Sequence, residues 1–155
     1  MIRIKCKTPS TGCIKNFTVP SLGTAWTVVA EAPDFSVPDT RKLYAARDQT
    51  DDSRAIRPGE IFFMTPFFAR NKSQSACWVE VRLVLENGTI VDCPGKMNVP
   101  AGDTALVPVQ GRSLLKRDHT SSMGDTIQMR AETAGSLDLW GTGEEKPSSE
   151  HTYEV

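Results

Sequence analysis

Alternation of apolar and polar residues is the clearest pattern in the chain, and it is the pattern of half-buried β-strands. Within residues 77–83, the apolar residues Val79, Val81 and Leu83 alternate with the charged residues Glu80 and Arg82. A period of two residues places one face of a strand in a core and the other in water. Asn87-Gly88 follows, and this pair suits a type I′ turn because both residues tolerate positive φ. We therefore predict a β-hairpin whose return strand, residues 89–93, ends at Pro94-Gly95.

A second alternating segment lies near the end of the chain. In residues 126–132, Ile127, Met129 and Ala131 share one face, which we expect to point into the core. The turn-forming residues 133–135 and a further strand over residues 136–143 complete what reads as a second hairpin.

Further short strands are predicted between turn signals along most of the chain. The aromatic stretch 61–68 is typical of a strand, but Pro66 cannot donate to a ladder and predicts an edge or a bend there. Four phenylalanines in this stretch fit a β core better than a nucleic-acid stacking platform, because no Lys or Arg lies among them. The sequence therefore predicts an all-β fold, an antiparallel β-sandwich of jelly-roll-like type with a long loop and an N-terminal extension.

Three regions follow from this pattern. Residues 55–145 hold the clearest strands and are the predicted sandwich core, and residues 146–155 are a polar tail. Residues 1–54 combine short strands with part of a proline-containing loop over residues 33–59, and we call them the assembly arm. The alternative is that residues 1–54 complete the same sandwich, as terminal strands commonly do. Candidate interface residues are apolar side chains expected to meet a partner: Phe35, Val37, Leu43, Tyr44 and Trp140.

Charge and hydropathy narrow the choice of partners. The net charge is -1, so no general electrostatic field gathers nucleic acid, and the basic pieces at Arg112, Lys116 and Arg117 fit a solvated loop. No apolar run approaches the roughly 18 residues of a membrane span. The N-terminus lacks the layout of a signal peptide, so we expect synthesis in a cytoplasm and no membrane partner.

The four cysteines leave two interpretations open. Their spacing matches no zinc template, and buried free thiols are the simpler reading. The alternative is a disulfide formed after release from a cell, for which Cys6 and Cys13 are the intermolecular candidates because they lie near a terminus.

No catalytic constellation emerges from the sequence. His119 and His151 each stand alone in polar surroundings, and no nucleophile elbow or zinc-binding helix motif is present. Asp48, Asp51 and Asp52 cluster, but they lack the spacing of a calcium loop and fit a solvated acidic loop. We therefore predict no catalytic residue, no metal site and no cofactor.

The order of motifs in the second half of the chain resembles a known group of proteins. Residues 99–104 form a Pro-small-Gly-Asp turn, residues 124–131 a Gly-Asp-led alternating strand, and residues 135–145 a final strand with flanking glycines. This order resembles small β-sandwich virion proteins of tailed bacteriophages, over residues 55–145. The resemblance implies assembly on a head, neck or tail, with copies of the chain and other virion proteins as partners, and it implies no catalysis.

Three functional hypotheses remain from the sequence. The first is a structural component of a tailed-bacteriophage virion, such as a neck or collar, tail or capsid-decoration subunit, located in the virion after synthesis in the host cytoplasm. The second is a carbohydrate- or receptor-binding module of a tail fibre or spike that recognises a host-surface glycan, with Trp26, Tyr44 and Trp140 as candidates. The third is a small hydrolase whose site is not evident, and fold alone does not choose among them.

Overall fold

The computed structural model describes residues 13–33, 59–117 and 123–147. Within them the chain forms strands and no helix, which confirms the all-β prediction, and so no helix there is long and apolar enough to cross a bilayer. The strands are β1 (Cys13–Val19), β2 (Thr27–Glu31), β3 (Gly59–Phe63), β4 (Phe67–Asn71), β5 (Cys77–Val84), β6 (Ile90–Val99), β7 (Thr104–Val107), β8 (Ser113–Leu115), β9 (Thr126–Ala131) and β10 (Leu137–Pro147).

Two antiparallel sheets face each other across the core. Sheet I contains β10 at its centre, with β1 along one side and β3 and β4 along the other; β8 pairs with β3, and β7 pairs with β4. Sheet II has the order β2-β9-β5-β6. The predicted sandwich is therefore confirmed.

The order of pairing defines the type of sandwich. β3 and β4 act as one interrupted strand along β10, and β7 and β8 act as another, so the chain has eight strand positions. The first pairs with the eighth (β1 with β10), the second with the seventh (β2 with β9), the third with the sixth, and the fourth with the fifth (β5 with β6). Such nested pairing forms one long antiparallel ribbon of four strand pairs. When this ribbon is rolled up, the eighth strand position (β10) lies beside the third (β3 and β4), and the seventh (β9) lies beside the fourth (β5). This arrangement is a jelly roll.

The interruption between β3 and β4 lies at the predicted position. Phe63 of β3 pairs with Gly143 of β10, and Phe68 of β4 pairs with Trp140 of β10. The chain therefore advances five residues from Phe63 to Phe68 while β10 advances only three, which leaves extra residues between β3 and β4. Pro66 lies in the extra residues, where its missing N–H removes no ladder hydrogen bond.

Residues 13–33, which belong to the predicted assembly arm, supply one edge strand to each sheet. Phe17 of β1 and Leu22 after it are buried, as are Val29 and Ala30 of β2. The sandwich therefore spans residues 13–147 with the gaps given above, rather than residues 55–145 alone. For these arm residues, the structure follows the alternative in which the N-terminal segment completes the sandwich.

The hairpin between β5 and β6 forms as predicted, but its turn is of a different type. Gly88 has φ of 88°. Asn87 does not have the positive φ that a type I′ turn requires, because Ser21 is the only non-glycine residue with positive φ in the described segments. The Gly88 N–H donates to the Leu85 carbonyl, and the Leu85 N–H donates to the Thr89 carbonyl, both at 2.8 Å. This is a three-residue loop with a left-handed glycine, not a type I′ turn.

Two further local predictions are wrong. β6 continues through Pro94-Gly95 to Val99, because a shift between Val81↔Gly95 and Arg82↔Asp92 accommodates two extra residues as a bulge. The predicted second hairpin is not a hairpin: β9 pairs with β2 and β5 in sheet II, whereas β10 pairs within sheet I. Residues 132–136 therefore carry the chain from one sheet to the other.

An aromatic cluster fills the core beneath β10. Phe17, Phe63 and Phe67 form a triangle with ring centroids 5.4 to 5.8 Å apart. Gly141 and Gly143 of β10 lie against these rings, and a Cβ at Gly141 would overlap the Phe67 ring. The glycines of the final strand thus make room for aromatic side chains from both neighbouring strands.

Candidate assembly surface

The outer face of sheet I carries a row of apolar side chains that crosses three strands. Leu106 of β7 pairs with Phe68 of β4, which in turn pairs with Trp140 of β10. The Phe68 and Trp140 rings are stacked, with centroids 5.4 Å apart and 11° between their planes. Leu106 is 55% exposed and Trp140 38% exposed. We call Leu106, Phe68 and Trp140 the apolar row.

More exposed apolar side chains flank this row on the same sheet. Phe62 of β3 and Ile14 of β1 lie on either side of Glu144 of β10 in the ladder, and Met64 follows β3. Ile14 is 65% exposed, the largest value among the large apolar side chains of the described segments. Clustered exposed apolar groups of this kind mark interaction surfaces in soluble proteins.

A polar clamp fixes the loop after β1 beside the apolar row. The Ser21 N–H donates to Asp138 Oδ1 at 2.8 Å, and Lys72 Nζ lies 3.0 Å from the same oxygen and 3.1 Å from Ser21 Oγ. The Ser21 hydrogen bond, followed by the one from Lys72, holds the pKa of the Asp138 carboxyl below its ordinary value. The clamp explains how Ser21 keeps its positive φ of 53°.

The outer face of sheet II is different in chemistry, because its aromatic rings are covered by cationic side chains. The guanidinium carbons of Arg82 and Arg130 lie 4.0 and 4.5 Å from the centroid of the Trp26 ring. Arg130 also makes a 3.0 Å ion pair with Glu80, and Lys96 Nζ lies 4.6 Å from the centroid of the Trp78 ring. Cation–π contacts of this kind contribute about 0.5–1 kcal/mol each at exposed sites. This face is therefore held together by contacts within the sheet.

An open cleft of about 340 Å³ separates the edge strands β1 and β2. Its lining consists of Lys15, Phe17, Val28, Val29, Ala30, Glu31 and Met123. Lys15 forms an ion pair with Glu145 at 3.3 Å, so its charge is compensated within sheet I. The cleft has one cationic and one acidic side chain and no group of three metal ligands, a type of group that is absent from all the described segments.

The two cysteines whose side chains are described are free and buried. Cys77 and Cys93 are each 1% exposed, as the buried-thiol interpretation predicts. Burial raises the pKa of the Cys93 thiol, with partial opposition from Arg112. Cys6 lies outside the described residues, and Cys13 begins β1, opposite Glu145.

Of the predicted interface residues, Trp140 lies in the described part of the chain, at the centre of the outer face of sheet I. Phe35, Val37, Leu43 and Tyr44 lie outside the described residues, as do both histidines and the cluster Asp48, Asp51 and Asp52. Sequence reasoning missed Leu106, Phe68 and Ile14 as surface residues. For Phe68 the alternation offered a usable signal, because Phe67 and Phe68 occupy adjacent positions in a strand and cannot share a face.

Comparison with known proteins gives a weak structural likeness. No model of a known protein family matches the sequence, and no curated protein shows significant similarity to it. Among solved structures, a chain in a crystal structure of the T13 particle of IBDV, an icosahedral virus, is similar with 9% sequence identity and a TM-score of 0.32. The match covers 91% of this chain and 41% of that chain, so this chain spans less than half the length of that protein. A TM-score of this size does not indicate a common fold.

Proposed function

We propose that the chain is a non-enzymatic structural component of a virion that acts by assembling with copies of itself and with other virion proteins. The more specific form of the proposal is a neck or collar, tail or capsid-decorating subunit of a tailed bacteriophage. Its location is then the virion, after synthesis in the host cytoplasm.

The observation that carries the proposal is the nested pairing of β1 with β10, β2 with β9, and β5 with β6. Jelly rolls with this wrapping serve in viral capsids, in lectins and in cupins, so the topology is compatible with both a particle subunit and a glycan-binding module. Because unrelated functions share such sandwiches, the surface must decide between the two.

The surface favours the structural subunit. Trp140 and Phe68 stack on each other, and Leu106 and Ile14 present aliphatic groups, which bury well against protein and offer nothing to a sugar hydroxyl. The indole ring of Trp26, the other described candidate for a glycan platform, is in contact with Arg82 and Arg130. A protein partner can cover the apolar row without disturbing the Phe68–Trp140 stack or the contacts of Trp26 with Arg82 and Arg130.

The test is the location of the chain in purified particles. Antibody labelling and mass spectrometry of gradient-purified virions from the source phage should find the chain at a fixed copy number. Trp140→Ser should reduce its incorporation, whereas Val28→Ser, which changes an exposed apolar side chain of sheet II, should not. Absence from purified virions during active infection would refute the proposal. Glycan-array binding that Trp140→Ser abolishes would favour the tail-fibre alternative.

A further inference from the structure

Among the described residues, β1 has a backbone edge that no other strand pairs with along its whole length. In the described segments it pairs with β10 alone, in an unbroken register from Cys13↔Glu145 to Val19↔Leu139. An edge strand without a bulge or proline is a template for pairing with another chain. Lys15 is the one charged residue in the strand, and it is paired with Glu145 at 3.3 Å.

The direction of the free groups follows from the partners of Thr142. Its carbonyl accepts from the Met64 N–H at 3.1 Å, and its N–H donates to Thr65 Oγ1 at 3.3 Å, so both point away from β1. Asn16, opposite Thr142, is therefore in a non-hydrogen-bonded pair with β10, and its own N–H and C=O point to the free edge. By alternation the same holds for Ile14 and Thr18.

The other three sheet edges in the described segments are interrupted. β2 has a register shift between Val28 and Ala30, and β6 contains Pro94 and a two-residue bulge. β7 and β8 are separated by a segment that includes Pro108 and a left-handed Gly111 with φ of 80°. Bulges and prolines at edges prevent strand addition. The contrast makes β1 the edge that remains able to pair.

We propose that β1 pairs with β1 of a second copy, antiparallel and centred on Asn16, to form a two-fold dimer with a continuous sheet I. This inference rests on the proposed function and names the first partner in the assembly. In this register Asn16 faces Asn16 of the second copy, and Ile14 faces Thr18 of the second copy. These are the residues whose N–H and C=O groups are free, so each can exchange both ladder hydrogen bonds with its partner.

The side chains fit a second copy in charge and in polarity. Lys15 faces Phe17 of the second copy, and no two like charges lie directly opposite each other in the register. The Asn16 side chains meet at the two-fold axis on the outer face, where Oδ1 is the acceptor from Thr142 Oγ1 at 3.4 Å. The amide nitrogen of each Asn16 can then donate across the axis.

Pairing in this register also extends the apolar row. Within one chain the row continues from Trp140 to Thr18, its ladder partner on β1. The next position across the dimer is Ile14 of the second copy, the most exposed large apolar side chain in the described segments at 65%. The dimer thus places Ile14 of the second copy at the end of each apolar row, on one continuous outer face of sheet I.

Charge swaps at exposed positions of β1 test both the dimer and its register. Sedimentation equilibrium of the purified full chain should give a dimer. Ile14→Lys with Thr18→Lys places like charges opposite each other twice and should raise the dissociation constant by about tenfold or more. Ile14→Lys with Thr18→Glu places opposite charges there and should restore dimerisation to near the wild-type level. Circular dichroism checks that both variants fold, as expected for side chains that face solvent.

Asn16→Pro provides an independent measurement. The substitution removes an N–H that points to the free edge and removes no ladder hydrogen bond to β10, so dimerisation should fall while the sandwich persists. Asn16→Ala, which keeps the N–H, is the matched control.

A monomeric wild-type chain, or charge variants that both dissociate or both dimerise equally, would overturn the inference. A dimer-deficient variant that still joins virions contradicts this inference but not the proposed function. A sound dimer that is absent from virions contradicts the proposed function instead.

Discussion

The Trp140 indole and the Phe68 phenyl ring lie nearly parallel, 5.4 Å between centroids and 11° between planes, on the outer face of sheet I. The two residues come from neighbouring strands and are directly paired in the ladder. Cross-strand aromatic pairs stabilise sheets, and here the pair also forms the middle of an exposed apolar surface. Its two roles can be separated by measurement.

A double-mutant cycle at this pair should show a coupling free energy of about 0.5–1.5 kcal/mol, the range for aromatic pairs. Trp140→Ala and Phe68→Ala are compared with the double variant by denaturant unfolding. Additive effects, within about 0.3–0.5 kcal/mol, would show that the rings do not interact in solution.

Gly141→Ala should destabilise the fold by about 1–3 kcal/mol, since the added Cβ overlaps the Phe67 ring in a closely packed core. Gly23→Ala is the matched control, because its Cβ would meet nothing nearer than the Ala25 amide nitrogen at 4.0 Å and its φ is not positive. Equal denaturation midpoints for the two variants would contradict the packing beneath β10.

Gly88→Val should destabilise the fold by more than about 1 kcal/mol for a different reason, because φ of 88° is costly for a β-branched residue. Space is not the cause, since a Cβ at Gly88 would meet nothing within 4 Å. Gly88→Asn, which tolerates the left-handed region better, should lose less stability. The opposite ranking of the two variants would show that backbone conformation does not limit this turn.

The stability of the fold should depend on pH through Asp138. Its pKa is lowered by the Ser21 amide and by Lys72, so the folded state favours the carboxylate. The contribution is therefore present above the ordinary carboxyl pKa and is lost as pH falls through that value towards the lowered one. Wild type should exceed Asp138→Asn in unfolding free energy at neutral pH, and the gap should close in acid. Lys72→Met should reduce this pH dependence without removing it. A gap that stays constant with pH would rule out the clamp.

Local pattern predicted the strands well and their partners poorly. Ile127, Met129 and Ala131 of β9 are buried as their alternation predicts, since a period of two fixes which face is apolar. The turn at residues 133–135 was equally clear, yet it joins strands of different sheets. A turn motif reports that the chain reverses, whereas the sheet that receives the next strand depends on contacts far away in sequence.

The candidate surface shows the same limit. Trp140 could be selected from sequence because an aromatic residue next to a glycine in a terminal strand suggests a partner-facing position. Alternation could place Phe68 on the face opposite Phe67, but it could not place Phe68 or Leu106 beside Trp140, because that relation exists only through the register of β4 with β10 and β7. Register is set by the whole sheet, so an assembly surface spread over three strands has no local sequence signature.

Whether β1 is an integral strand of the sandwich can be tested at two adjacent residues, Phe17 and Thr18. Phe17 is 5% exposed and packs against the Phe63 and Phe67 rings, whereas Thr18 points outward on the same strand. Phe17→Ala should lower the free energy of unfolding by about 3–5 kcal/mol, the range for deleting a buried phenyl ring, and Thr18→Ala should change stability little.

Deletion of residues 1–54 should leave an insoluble chain, because it removes an edge strand from each sheet and exposes what remains of the cluster of Phe17, Phe63 and Phe67. A soluble deletion product that unfolds cooperatively, together with a small effect of Phe17→Ala, would mean that β1 is an accessory to the sandwich and would restore residues 1–54 as a separate arm.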